Sequence, residues 1–182
     1  MELSPTAYVV LGMLRNEPRS GYEIKQVVDR STRFFWAASY GQIYPELRKL
    51  AKAGLVAGRP EPRGGRKRTV YRLTPAGRRE LRRWLAEEPS VLELRDEGLL
   101  KLFFAGVTSK QRAVEILDAK RRLHEEKLAT LREIAPVVEA ASEADPFPAV
   151  VLRYGIESSE WTVAWCERAA RELGRRGDRK AA

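Results

Sequence analysis

From residue 4 to about residue 86 the apolar positions fall into short helical runs, then into two β-like runs, then into one more helical run. Ser4-Pro5 has the form of an N-cap followed by proline at the first helical position, and Ala7, Val10, Leu11 and Leu14 then recur at helical spacing. Asn16-Glu17-Pro18 closes that helix. Ser20-x-x-Glu23 is a capping box opening a second helix, with Ile24, Val27 and Val28 apolar. Ser31–Ala38 holds Phe34, Phe35 and Trp36 and reads as a buried connector into a third helix. That third helix starts at a second capping box, Ser39-x-x-Gln42. At 100° per residue it turns Ile43, Leu47, Leu50 and Gly54 inward, with Ala51 beside them. Its outward side carries Gly41, Pro45, Arg48, Lys49 and Lys52, with Gln42 at the margin; Pro45 should bend it slightly.

Two strands are expected next, Leu55–Arg59 and Thr69–Leu73. The segment between them, 60–68, contains Gly64-Gly65, which suits a tight turn with positive φ, and the cations Arg63, Arg66, Lys67 and Arg68. Thr74-Pro75 starts a helix with an apolar stripe of Leu81, Trp84 and Leu85.

Beyond a joint at 87–94 the pattern is almost wholly helical. Asp96–Ala105 is short and very apolar, ended by Gly106, and Thr108-x-x-Gln111 caps a long helix reaching about Ala144, interrupted or bent at Pro136. Its apolar residues form two stripes: Val114, Leu117, Leu128, Leu131 and Val138; and Ile116, Leu123 and Ile134. A last helix from near Pro148 spaces Val151, Tyr154, Ser158, Trp161 and Trp165 by three and four.

The fold class this predicts is mainly α with a small β-hairpin, in two domains. Residues 1–87 form a winged helix-turn-helix and 88–182 an all-α domain. Wide apolar faces on a few long helices lack cover within so short a segment, so packing against a second copy as a homodimer is expected. The competing arrangement is a monomer whose long helices fold back on the winged helix.

Charge sharpens the division. The 182-residue chain has a net charge of +9, yet residues 1–86 carry 18 Lys and Arg against 7 Asp and Glu, whereas 87–182 carry 16 against 18. A basic half joined to a near-neutral half is the electrostatic signature of a nucleic-acid module. A basic-faced helix followed by a cation-tipped hairpin suits double-stranded DNA, with the helix in the major groove and the hairpin on the backbone. Gly41 would let the backbone approach bases or phosphate closely. Taken alone, the helix is equally an amphipathic surface element with solvated charges; the hairpin beside it favours DNA. A winged helix serving protein or RNA contacts is the alternative, and an apolar outward face would mark it.

Catalytic constellations are lacking. His124 and Cys166 are the single histidine and cysteine, on different predicted helices, and nothing in the sequence pairs them. No metal-ligand spacing, cofactor motif or Gly-rich phosphate loop is present, so neither enzyme activity, nor a metal, nor a cofactor is expected. With no run of apolar residues as long as a membrane span, no basic leader and one cysteine, a soluble cytoplasmic protein is expected.

The stretches Val10–Val28, Gly41–Val56, Tyr71–Leu81 and Leu94–Gly106 resemble the PadR family of bacterial transcriptional regulators, the last pointing to its longer branch with an extended C-terminal helical domain. The most specific parts are Gly21-Tyr22-Glu23, Ile43-Tyr44-Pro45 and Leu73-Thr74-Pro75-x-Gly77. This resemblance implies a dimer that binds palindromic operators, usually as a repressor, in some members released by a small aromatic effector. It marks Ser39, Tyr40, Gln42 and Tyr44 as candidate DNA contacts, Arg48 and Lys49 as phosphate or base contacts, and the wing cations as backbone contacts. Helical geometry sets Tyr40 and Tyr44 on the flank, where phosphates are the natural partners. Phe103, Phe104, Tyr154, Trp161 and Trp165 are candidates for an effector cavity between subunits or, in the simpler reading, for core or dimer seam.

Overall fold

The structure, a computed structural model, describes residues 3–63, 66–89 and 96–178; side chains of 62–67 and 175–178 lie outside the description. The chain divides into two compact units, Met1–Val91 and Leu92–Ala182.

In the first unit, α1 (Pro5–Met13) starts where the Ser4 hydroxyl accepts from the Ala7 N–H. β1 (Arg19–Ser20) leads directly into α2 (Gly21–Arg30), whose capping box is made: Glu23 Oε2 accepts from the Ser20 N–H at 2.8 Å. After a 3₁₀ turn at Thr32–Phe34 comes α3 (Tyr40–Lys52), where the Gln42 side chain accepts from the Ser39 N–H at 2.9 Å. β2 (Val56–Arg63) and β3 (Arg66–Leu73) follow, then α4 (Pro75–Leu85). The three strands form an antiparallel sheet in the order β1-β3-β2.

The core of this unit collects Val10 and Leu11 of α1, Ile24 and Val28 of α2, Ile43, Leu47 and Leu50 of α3, and Leu81 of α4. Five of these are leucines or isoleucines with no exposure at all. Burying each such side chain stabilises by roughly 1.5–3 kcal/mol, which is what holds three short helices together.

Several expectations change on contact with the structure. The connector is not buried: Phe35 and Trp36 are exposed, and within Ser31–Ala38 burial falls to Ala38, with Phe34 half-buried. Gly54 is exposed because α3 ends at Lys52, before its inward stripe returns, and Ala51 in the last turn is exposed as well. Gly54 is the left-handed residue (φ 69°) of a Schellman stop, with Leu55 N–H donating to the Leu50 carbonyl and Gly54 N–H to that of Ala51. Both strands of the hairpin run further toward the tip than expected. β2 tolerates Pro60 and Pro62 because it lies at the sheet edge, where the missing N–H interrupts no second ladder. Arg63 pairs with Arg66, leaving Gly64-Gly65 as a two-residue connection outside the described residues. β1 is too short for any sequence pattern to have flagged.

Gly77 explains the Leu73-Thr74-Pro75-x-Gly77 motif. Thr74 caps α4 by accepting from the Gly77 N–H at 3.0 Å, and its hydroxyl donates to the Gly54 carbonyl at 2.8 Å. The Leu55 carbonyl passes so close to Gly77 that a Cβ there would overlap its oxygen and stand 2.9 Å from its carbon.

The second unit consists of α5 (Glu97–Phe103), a 3₁₀ turn at Ala105–Val107, α6 (Lys110–Ala140) and α7 (Phe147–Asp178). Asp96 caps α5, and Lys120 of α6 forms an ion pair with it. Ser109, not Thr108, caps α6; the Thr108 hydroxyl donates to the Ala105 carbonyl instead. α6 runs unbroken through Pro136 and ends at Ala140. Its first stripe (Leu117, Leu128, Leu131) is buried against α7, whereas Leu123 of the second is exposed. The inward face of α7 is mostly small: Ala149, Leu152, Ser159, Thr162 and Cys166. Gly155 lets α6 approach, since a Cβ there would meet Leu131 Cδ1 at 3.1 Å. The aromatic stripe of α7 therefore points away from α6.

Candidate nucleic-acid interface

The outward side of α3 is what its sequence dictates. With Ile43, Leu47 and Leu50 turned into the core, Ser39, Gly41, Gln42, Arg48, Lys49 and Lys52 are all exposed. Glu46, unnoticed in the sequence, is buried, and its carboxylate accepts from Lys49 Nζ at 3.0 Å. The helix N-terminus presents its free N–H groups beside Gln42, a place where anions are stabilised.

Tyr40 and Tyr44 lie on the flank, about two-fifths exposed, and Tyr22 of α2 joins them. The three rings form a ladder: Tyr22 to Tyr40 and Tyr40 to Tyr44 each have centroids 6.2 Å apart, with interplanar angles of 11° and 25°. Lys25 lies over the Tyr40 ring at 5.5 Å and pairs with Asp29. Gly21 makes room for the ladder, because a Cβ on it would stand 2.7 Å from Tyr44 Cε1. The i, i+4 spacing of Tyr40 and Tyr44 was visible along the chain. Tyr22 was not, since the contact is between helices.

Of the wing cations, Arg63, Arg66 and Lys67 flank the tip, at the paired ends of β2 and β3, and their side chains lie outside the described residues. Arg68 is engaged within the protein. Its Nη1 donates to Glu23 Oε1 at 2.9 Å and its Nη2 to Glu61 Oε2 at 3.2 Å. The Ser20 N–H and hydroxyl, and then Arg68, hold the Glu23 carboxyl below the usual carboxylate range.

The aromatic residues of the second unit fall into separate contacts. Phe103 and Phe104 meet edge to face at 5.1 Å, and Trp161 stacks on Trp165 at 6.3 Å. Phe103, Phe104, Tyr154 and Trp161 are all well over half exposed. A groove of about 240 Å³ between α6 and α7 is lined instead by Val114, Leu117, Asp118, Arg121, Cys166 and their neighbours. Burial raises the Cys166 thiol and lowers His124 below its ordinary value, with Lys120 and Lys127 adding to the latter. No group of metal-ligating side chains occurs among the described residues, and no helix there is long and apolar enough to cross a membrane.

Residues 10–83 match the Transcriptional regulator PadR-like family, and residues 94–174 match the family described as Virulence activator alpha C-term. The Negative transcriptional regulator PadR of Bacillus subtilis is 31% identical over 88% of this chain and 92% of its own length. The crystal structure of Bacillus subtilis PadR in complex with operator DNA superposes with a TM-score of 0.85 at 30% identity, covering 93% of this chain and 99% of that one. The same protein in complex with p-coumaric acid gives a TM-score of 0.76 at 29% identity, over 95% of this chain and 99% of that one. A relative of this identity spanning nearly both chains decides the matter: the chain belongs to the PadR-like family of transcriptional regulators.

Proposed function

We propose that this protein is a dimeric, cytoplasmic repressor that binds a palindromic operator in double-stranded DNA and is released by a small aromatic effector. The observation that carries the reading is the division of α3. Its apolar residues Ile43, Leu47 and Leu50 are buried, its cations Arg48, Lys49 and Lys52 are exposed, and a hairpin with Arg63, Arg66 and Lys67 at its end stands in the same unit. The Bacillus subtilis relative bound to operator DNA supports it. Gln42 and Ser39 read base edges or phosphates, Gly41 permits close approach, and Arg48, Lys49 and Lys52 neutralise phosphate. The hydroxyls of Tyr40 and Tyr44 donate to the backbone, and Arg63, Arg66 and Lys67 of the wing follow it. A protein of this kind regulates and carries no enzyme chemistry.

Residues 1–87 serve DNA binding and 88–182 serve dimerisation and effector response in this reading. Phe103, Phe104, Tyr154 and Trp161 leave large apolar surfaces uncovered within one chain, which supports a second copy as their cover, with the half-buried Trp165 beside Trp161. The p-coumaric acid complex of the relative supports a planar aromatic acid as effector.

One experiment tests the whole reading. Duplex fragments selected by the purified protein from genomic DNA are titrated across salt, with light scattering for the mass and p-coumaric acid as challenge. Half-sites about 10 bp apart or a multiple of that are expected. So is a log–log salt slope of about −0.9 per phosphate neutralised. Binding no fragment more tightly than bulk competitor would refute it; tighter binding to RNA would favour the alternative that the exposed tyrosine ladder leaves open.

A further inference from the structure

Arg68 differs from the other wing cations in what surrounds it. On β3 it stands directly across from Glu61 of β2, a cross-strand pair of opposite charge. Its second partner, Glu23, belongs to another element and is already committed. Glu23 Oε2 takes the Ser20 N–H and hydroxyl at 2.8 Å each, leaving Oε1 for Arg68 at 2.9 Å. Ser20 in turn pairs with Val70 of β3. One carboxylate thus ties the start of α2 to the wing two residues along the strand from that pairing. Both terminal nitrogens of Arg68 are occupied, and its Nε is buried with no partner among the described residues. A guanidinium held at both ends in a planar fork is oriented, not free to reach outward.

We infer that Arg68 is a positioning residue: with Glu23 and Glu61 it forms a strut that sets the wing's angle against α2 and hence against α3, and it makes no phosphate contact itself. The inference rests on the DNA-binding reading above. It also accounts for the acidic residue in Gly21-Tyr22-Glu23, which does two jobs with its two oxygens.

The two roles predict opposite responses to Glu23→Gln. Glutamine keeps the cap, as Gln42 does in α3, but loses the charge that holds Arg68. If Arg68 is a strut, Glu23→Gln and Arg68→Ala weaken binding alike, by about three- to fivefold, as for a partly exposed ion pair. If Arg68 reaches phosphate, Glu23→Gln releases it and binding stays the same or tightens. Both variants are titrated across salt against a duplex selected by the wild-type protein, with Arg66→Ala for comparison. The strut predicts wild-type salt slopes for Arg68→Ala and Glu23→Gln, and a double variant no weaker than either single one. Arg66→Ala should flatten the slope by about 0.9. A slope flattened to the same degree by Arg68→Ala would overturn the inference. A wild-type protein that bound no duplex would sink the regulator reading separately. The strut would then be judged by amide exchange in residues 66–70: faster in both variants if it exists, unchanged in both if it does not.

Discussion

Gly77→Ala sets two effects of opposite sign against each other. Gly77 is the third residue of α4, and alanine in a helix is favoured over glycine by up to ~1 kcal/mol. Propensity alone therefore predicts a more stable protein. Against it stands the Leu55 carbonyl, which the new methyl group would overlap. Its carbon would lie 2.9 Å away, where carbon atoms pack comfortably at about 3.5–4.0 Å. The obstacle is backbone, so the strand or the helix must move. The same carbonyl accepts from the Thr74 N–H at 3.1 Å and from the Thr74 hydroxyl at 3.0 Å, and moving it weakens both. Overpacking costs about 1–3 kcal/mol and two weakened hydrogen bonds about 1 kcal/mol each, so, less the propensity gain, the net loss is roughly 2–4 kcal/mol. For a unit of about 90 residues this lowers the melting temperature by roughly 10–30 °C. Thermal melting of the full chain by circular dichroism reads the result. Gly12→Ala, within α1 and with nothing within 4 Å of its Cβ, serves as control and should stabilise by about 0.5–1 kcal/mol. Because Leu55 leads into β2, operator affinity should fall with Gly77→Ala as well. Melting of that variant at or above the wild-type temperature would show that the close approach does not exist.

Gln42→Glu should separate stability from DNA binding. Glutamate still accepts from the Ser39 N–H and suits a helix N-terminus, so melting holds or rises slightly, while a carboxylate facing phosphate weakens binding by more than about tenfold; unchanged affinity would remove Gln42 from the interface. His124 gives a pH test. Burial and its lysine neighbours hold its folded value below the ordinary 6.5, with Asp96 opposing, so the stability it contributes is present above 6.5 and is lost as pH falls through the lowered folded value. Urea midpoints of the second unit should fall between about pH 7.5 and pH 5, and His124→Gln should flatten that decline; an identical decline in the variant would assign it elsewhere.

Local chemistry made most of the elements legible in the chain. Ser4, Ser20, Thr74 and Asp96 begin helices where they do because their side chains satisfy N–H groups a helix cannot satisfy itself, and at α3 the Gln42 side chain does this by accepting from the Ser39 N–H. The exposed cations of α3 follow from the same logic, since Ile43, Leu47 and Leu50 leave them one direction to face. Adjacent candidates defeated it at α6, where Thr108 and Ser109 are both able to cap and only the observed backbone selects Ser109. Three matters were decided by tertiary structure. Tyr22 meets Tyr40 across two helices, Arg68 meets Glu23 across 45 residues, and Gly77 meets the Leu55 carbonyl from the far side of the hairpin. Periodicity along a chain reports which way a side chain points; it carries no information about which distant group is waiting there. That is why the basic face could be read from the sequence, while the residues that aim it could be found only once the elements had packed.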